Sequence, residues 1–199
     1  MLTKIRSKYI INELFSKINR LIILKITKYN KQLLDRLNIS KTDFEDFSIL
    51  KEFNRNFNLD IKDIDIKSLD LSNKKLGNKI IEFLKKVRFN QLKGLYLDNN
   101  NITDIKELEN VKFENLEYLG LDYNKIRNIN ILDKVNFKNL QYLYLDNNNI
   151  INIKVLENAK FEKLEILHLS DNQISDINIL EKVEFKGLKQ LYLYKNHIS

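Results

Sequence analysis

Three aspartates and a histidine are the residues whose types and spacing could do chemistry. Asp98, Asp122 and Asp146 recur at intervals of 24 residues, and His168 follows with Ser170 two positions on. Carboxylates repeated on neighbouring strands would lie about 4.8 Å apart, near enough to share a hard cation. A calcium site, however, collects roughly 6–8 oxygens, more than one carboxylate per strand supplies, so no metal is expected. His168 near Asp146 and Ser170 imitates part of a nucleophilic triad, yet no activated-serine motif accompanies it. The other histidine, His197, falls in a different position of the pattern. There is no cysteine and the four glycines are scattered, which removes thiolate chemistry and a glycine-rich phosphate loop. No catalytic residue and no cofactor are therefore expected. Recognition is what these groups suit: the aspartates would favour a protein or peptide partner with Lys or Arg, and tyrosines offer stiff, amphipathic contact area of the kind enriched in binding hot spots. The candidate protein-binding residues are Tyr96, Asp98, Tyr118, Asp122, Tyr142, Tyr144, Asp146, His168, Tyr192 and Tyr194.

Whether they act together depends on the elements that carry them. The run L-x-x-L-x-L-x-x-N-x-I begins at Leu92, Leu116, Leu140, Leu164 and Leu188, again at intervals of 24. Within it, residues such as Leu116, Leu119 and Leu121 alternate as a short strand does, with Tyr118, Gly120 and Asp122 on the opposite face. Farther on, Ile126, Ile129, Leu132, Val135 and Phe137 predict a short helical or 3₁₀ return. Asp104 and Glu107 have the spacing of a capping box for one such segment. Phe89, Phe113, Phe137, Phe161 and Phe185 form one column, read as a structural spine.

This pattern closely resembles the leucine-rich repeat family. The resemblance implies an α/β repeat fold, a solenoid with a parallel concave sheet, here preceded by a small helical region. It also implies that Asn100, Asn124, Asn148, Asn172 and Asn196 lie inside the turns as a ladder pairing buried backbone groups, which would otherwise be costly to bury. Asn148 is then expected to be structural, and its neighbour Asn147 solvent-facing and tolerant of alanine. Three outward columns follow: Ser68, Gly94, Tyr118, Tyr142, Ile166, Gln190; then Asp70, Tyr96, Gly120, Tyr144, His168, Tyr192; then Ser72, Asp98, Asp122, Asp146, Ser170, Tyr194. Aromatic residues there could equally serve sheet propensity and stacking between strands, and that reading stands beside the binding one.

Residues 92–199 are assigned to regular repeats and 57–91 to a divergent cap repeat, in which Lys74 takes the ladder position and the step from Leu69 to Leu95 is 26. Phe57, Leu59, Ile61, Ile64 and Ile66 are read as a short extended stretch of that cap. Together these make a repeat domain of 57–199. The last strand is followed by no helical return, so either the chain is a fragment or its final coil frays or associates end to end with a second copy.

Residues 1–56 form the helical region. Thr42 and Glu45 suggest a capping box, with Phe44, Phe47, Leu50 and Phe53 on one helical face. The net charge of +7 resides here: residues 1–36 hold nine basic and two acidic groups, and the remainder balances at 25 of each. The repeat body thus has no electrostatic footprint for nucleic acid, and Leu21–Leu24 is far too short to span a membrane. Neither partner is expected, and a cytoplasmic or nuclear location is the default. The segments Leu14-Phe15-Ser16-Lys17-Ile18 and Leu21 to Lys31 are similar in order and spacing to an F-box, which would imply a substrate adaptor docking on a Skp1-type subunit of a cullin ubiquitin ligase. The alternative is a solenoid cap with extra helices.

Overall fold

The computed structural model describes residues 41–183 and 185–198, and the chain divides into two compact units between Ile64 and Asp65. The F-box-like segments and the rest of the helical region before residue 41 lie outside the described residues. In the first unit, helix α1 (Lys41–Phe57) buries Leu50 and Phe53 completely, as their one-face spacing requires. Phe53 meets Phe57 edge to face at 5.2 Å, one helical turn on. Phe57 closes this helix and does not open the extended stretch expected of it. The reason is local: Asn58 adopts φ 51 and the Leu59 N–H returns to the Asn54 carbonyl at 2.9 Å, the left-handed stop in which Asn is well tolerated. The Asn54 side chain then brackets Ile61 through both its N–H and C=O.

The second unit alternates short strands with short returns: β1 (Ser68–Asp70), α2 (Lys79–Leu84), β2 (Gly94–Tyr96), β3 (Tyr118–Gly120), β4 (Tyr142–Tyr144), β5 (Ile166–His168) and β6 (Gln190–Tyr192). After β2 to β5 the returns are 3₁₀ turns, at Lys106–Asn110, Asn130–Asp133, Lys154–Glu157 and Asn178–Glu181. The strands form one parallel sheet in chain order. Leu69, Leu95, Leu119, Leu143, Leu167 and Leu191 align across it, and the step of 26 between the first two is absorbed outside the strands.

Each coil closes over leucines from its strand and isoleucines from its turn, and from β2 to β5 these are essentially inaccessible. Burying each such side chain is worth about 1.5–3 kcal/mol. Phe89, Phe113, Phe137 and Phe161 are buried in one column; Phe185 continues it, 6.3 Å from Phe161, but it is part-exposed, as are Leu188, Leu191 and Leu193 in the final coil.

The asparagine ladder forms as expected. Asn148 accepts the Ile126 N–H at 2.9 Å and donates to the carbonyls of Leu121, Leu145 and Asp146. Asn124 and Asn172 repeat the pattern. The capping box at Asp104 does not form. Asp104 accepts from the Lys106 N–H instead, its own N–H goes to Asn78, and Glu107 pairs with Lys85 of the preceding coil at 2.8 Å. Asn128, Asn152 and Asp176 make the same bond two residues ahead. A turn this short is opened by an Asx bond and leaves the reciprocal glutamate contact unused.

Candidate functional site

The site is built on strand alternation: the central leucine of each strand points into the core, so its two neighbours point out. The register places Tyr118 beside Tyr142 in one column, and Tyr144, His168 and Tyr192 in the next. The rings do not respect those columns. Tyr96 stacks on Tyr118 at 4.5 Å, Tyr118 on Tyr144 at 5.0 Å, Tyr144 on His168 at 4.5 Å and His168 on Tyr192 at 4.1 Å. Five rings thus run unbroken across five strands. Gly120 explains the crossover, because it leaves the middle column empty between Tyr96 and Tyr144 and Tyr118 leans into the gap. Tyr142 remains beside the stack, tilted and 6.4 Å from Tyr118. Gly94 has a related role: a Cβ there would stand 3.1 Å from the Tyr96 ring.

Burial, and then the charge of Asp98, hold the Tyr118 hydroxyl far above the ordinary phenol range, and burial pushes Tyr144 in the same direction. Both are therefore neutral hydrogen-bonding groups at physiological pH. Because Tyr118, Tyr144 and His168 are stacked on both sides, their ring edges and polar atoms are what they offer a ligand.

The aspartates form a second ladder, which was not anticipated from their spacing. Asp98 Oδ1 accepts the Asp122 N–H at 2.9 Å, Asp122 Oδ1 the Asp146 N–H at 2.7 Å, and Asp146 Oδ1 the Ser170 N–H at 2.6 Å. One oxygen of each carboxylate is committed to the neighbouring coil. The other differs along the row. In Asp98 it accepts from Ser72 Oγ at 3.3 Å, and in Asp146 it meets His168 Nδ1 at 2.9 Å. Asp122 alone of the three keeps an oxygen to which no side chain donates. Its carboxyl is pushed up to about 7, first by burial and then by the charges of Asp146 and Asp98, against the lowering effect of its bond to Asp146 N–H. Asp98 is raised as well, chiefly by burial.

The structure therefore brings Tyr96, Tyr118, Tyr144, His168 and Tyr192 into one stack, with Tyr142 at its side and Asp98, Asp122 and Asp146 along its edge. Tyr194 stands apart, 56% exposed, with Lys195 Nζ 5.9 Å from its ring centre. The His168–Asp146 pair of the triad-like reading does form, but Ser170 Oγ is buried without a hydrogen-bond partner and does not join it. Among the described residues, no three His, Asp or Glu side chains are grouped so that they could hold a metal ion, and no helix is long and apolar enough to cross a membrane. Sequence reasoning overlooked Tyr123, which is 62% exposed. Its signal was its place: a tyrosine in a turn column otherwise filled by Asn, Asp and Lys.

Comparison with known proteins agrees with this architecture. A leucine-rich repeat family model matches residues 90–150, and a model of two leucine-rich repeat copies matches 138–182. The chain is a leucine-rich repeat protein. It is similar to the solved internalin InlF from Listeria monocytogenes, at 25% identity and TM-score 0.55, over 95% of this chain and 46% of that one. It is also similar to the Arabidopsis receptor kinase HAESA, solved with the peptide hormone IDA and the co-receptor SERK1, at 26% identity and TM-score 0.52, over 72% of this chain and 23% of that one. PEPR1, solved with AtPEP1, gives 26% identity and TM-score 0.52 over 67% and 18%. The chain thus spans less than half the length of each of these three structures. No curated protein matches it in sequence.

Proposed function

We propose that the exposed face of the sheet binds a protein or peptide segment carrying Lys or Arg. The observation that carries this reading is the continuous stack from Tyr96 to Tyr192 bordered by Asp98, Asp122 and Asp146. A stack whose rings already hold one another loses little side-chain freedom on binding, which removes part of the ordinary cost of association. The acidic border supplies charge complementarity, which sets partner choice and association rate. The HAESA structure supports the reading by analogy, since it has the same repeat fold and was solved with a peptide hormone.

The test is selection of a random dodecapeptide library on the full chain, followed by affinity measurement of the selected peptides against Tyr144→Ala and Asp122→Asn. Selected sequences should be enriched in Lys and Arg, and truncating Tyr144 should weaken them by about 30-fold, the loss typical of a hot-spot residue. Recovery of peptides without basic enrichment, or equal affinity for both variants and the parent, would overturn the proposal.

A further inference from the structure

The turn after each strand takes one residue through the left-handed region at the same place in every coil: Asn73, Asn99, Tyr123, Asn147, Asp171 and Lys195, with φ of 60 at the first and 53 at the other five. Asn and Asp tolerate this conformation, whereas a bulky side chain there is an outlier that costs stability. Tyr123 recovers little of that cost. Its side chain is largely in solvent, and its N–H donates to the Asp146 carbonyl at 3.0 Å just as Asn147 and Asp171 donate in their own coils. The turn itself therefore gives no reason for a tyrosine.

Three coils away, the same edge of the sheet shows what an aromatic residue can do there. Lys195 Nζ lies 3.1 Å from Asp171 and 5.9 Å from the centre of the Tyr194 ring, so a cation is held between a carboxylate and a tyrosine. Asp122 and Tyr123, adjacent in sequence, supply a carboxylate with an oxygen to which no side chain donates and an exposed ring; Lys195, which shares the surroundings of that ring, is itself paired with Asp171. We propose that Tyr123 is an anchoring residue of the partner site, taking an Arg or Lys side chain of the bound segment against its ring while Asp122 provides the counter-charge. This extends the binding face from the stacked rings onto the turn edge, and it rests on the peptide-binding reading above. The occupant is set by charge: Asp122 has Asp98 and Asp146 as its neighbours in the row, so that edge favours a cation.

The test uses the full chain and a fluorescein-labelled peptide of alternating Gly and Arg, with a Gly–citrulline peptide as the uncharged control. Tyr123→Asn places in this turn the residue its neighbours use, so its denaturation midpoint should rise. Its affinity for the Gly–Arg peptide should fall about fivefold, the size of an exposed cation–π contact, whereas Tyr123→Phe should bind as the parent does. A Tyr123→Asn protein that binds the peptide undiminished while Tyr144→Ala loses it would overturn this inference and leave the sheet face as the site. A midpoint that drops in Tyr123→Asn would overturn it as well, since the turn would then have required the tyrosine. Equal binding of the Gly–Arg and citrulline peptides, or undiminished binding by Tyr144→Ala and Asp122→Asn together, would remove the sheet-face reading itself and this inference with it.

Discussion

Asp98 accepts the backbone N–H of Asp122 across the boundary between two coils, at 2.9 Å, and its carboxylate occupies space that a side chain at position 120 would need. A Cβ on Gly120 would stand 2.8 Å from Asp98 Oδ1. The glycine therefore serves two groups at once, admitting Tyr118 to the aromatic stack and Asp98 to the carboxylate ladder. Structural roles and the proposed recognition roles fall on the same side chains, which makes the choice of substitution decisive in any test.

Asp98→Ala removes the acceptor and leaves the Asp122 N–H unpaired in a part-buried place, at an expected cost of about 1–3 kcal/mol. Asp98→Asn keeps a carbonyl oxygen in the same position and removes a like charge beside Asp122, so its stability should equal or exceed that of the parent near neutral pH. Urea denaturation of both variants checks this. Equal losses would show that the negative charge, and not the acceptor, is what the ladder requires.

The solenoid was legible in the sequence because its two periods, 2 within a strand and 24 between coils, are written in apolar residues that have no alternative but to be buried. Asn148 was legible through the resemblance to the leucine-rich repeat family, and its physical reason is that a tight buried turn must pair its backbone groups. The stack was only half legible. Columns follow from register, but the lean of Tyr118 over Gly120 depends on a missing side chain one strand position away, and ring packing across columns has no period. The aspartate ladder was hidden for a different reason: an outward residue is ordinarily read for what it offers solvent, whereas these carboxylates turn sideways to a backbone N–H of the next coil. Tyr123 was hidden because it lies in a turn column, outside both the leucine pattern and the outward columns of the strands.

Asn148→Ala should cost about 1–3 kcal/mol, because it strands the Ile126 N–H in the interior, while the Leu121, Leu145 and Asp146 carbonyls keep their bonds from Asn124, Asn172 and the Tyr123 N–H. Asn147 is not the neutral comparison that its solvent-facing place suggested. At φ 53, alanine there loses the tolerance of asparagine for left-handed backbone and should cost about 1 kcal/mol. The neutral position is Asn149, which is exposed and should accept alanine within about 0.5 kcal/mol. Denaturation midpoints should therefore fall in the order Asn149→Ala, Asn147→Ala, Asn148→Ala, from least to most affected, and any other order would contradict the assigned turn geometry.

The proposed cation site makes binding depend on pH through Asp122. Its carboxyl is pushed up to about 7 from an ordinary 3.8, so between those values the folded protein holds a proton that the unfolded chain has released. Stability from this group is accordingly greatest below the ordinary value and declines as pH rises towards 7. Binding runs in the opposite direction. An incoming Arg or Lys favours the ionised carboxylate, and below pH 7 it must first displace the proton. Asp98 is raised too and lies in the same row, so the observed midpoint belongs to the coupled carboxylates and not to one of them. With a midpoint near 7, the dissociation constant of an arginine-bearing peptide should rise about eightfold between pH 7.5 and pH 6. His168 faces Asp146 and not Asp122, so Asp122→Asn separates the two: it should bind more weakly at pH 7.5 and show a flatter profile. Fluorescence anisotropy across that range provides the measurement, and a parent profile that stays level, or an Asp122→Asn profile as steep as the parent's, would show that protonation of Asp122 does not control the cation site.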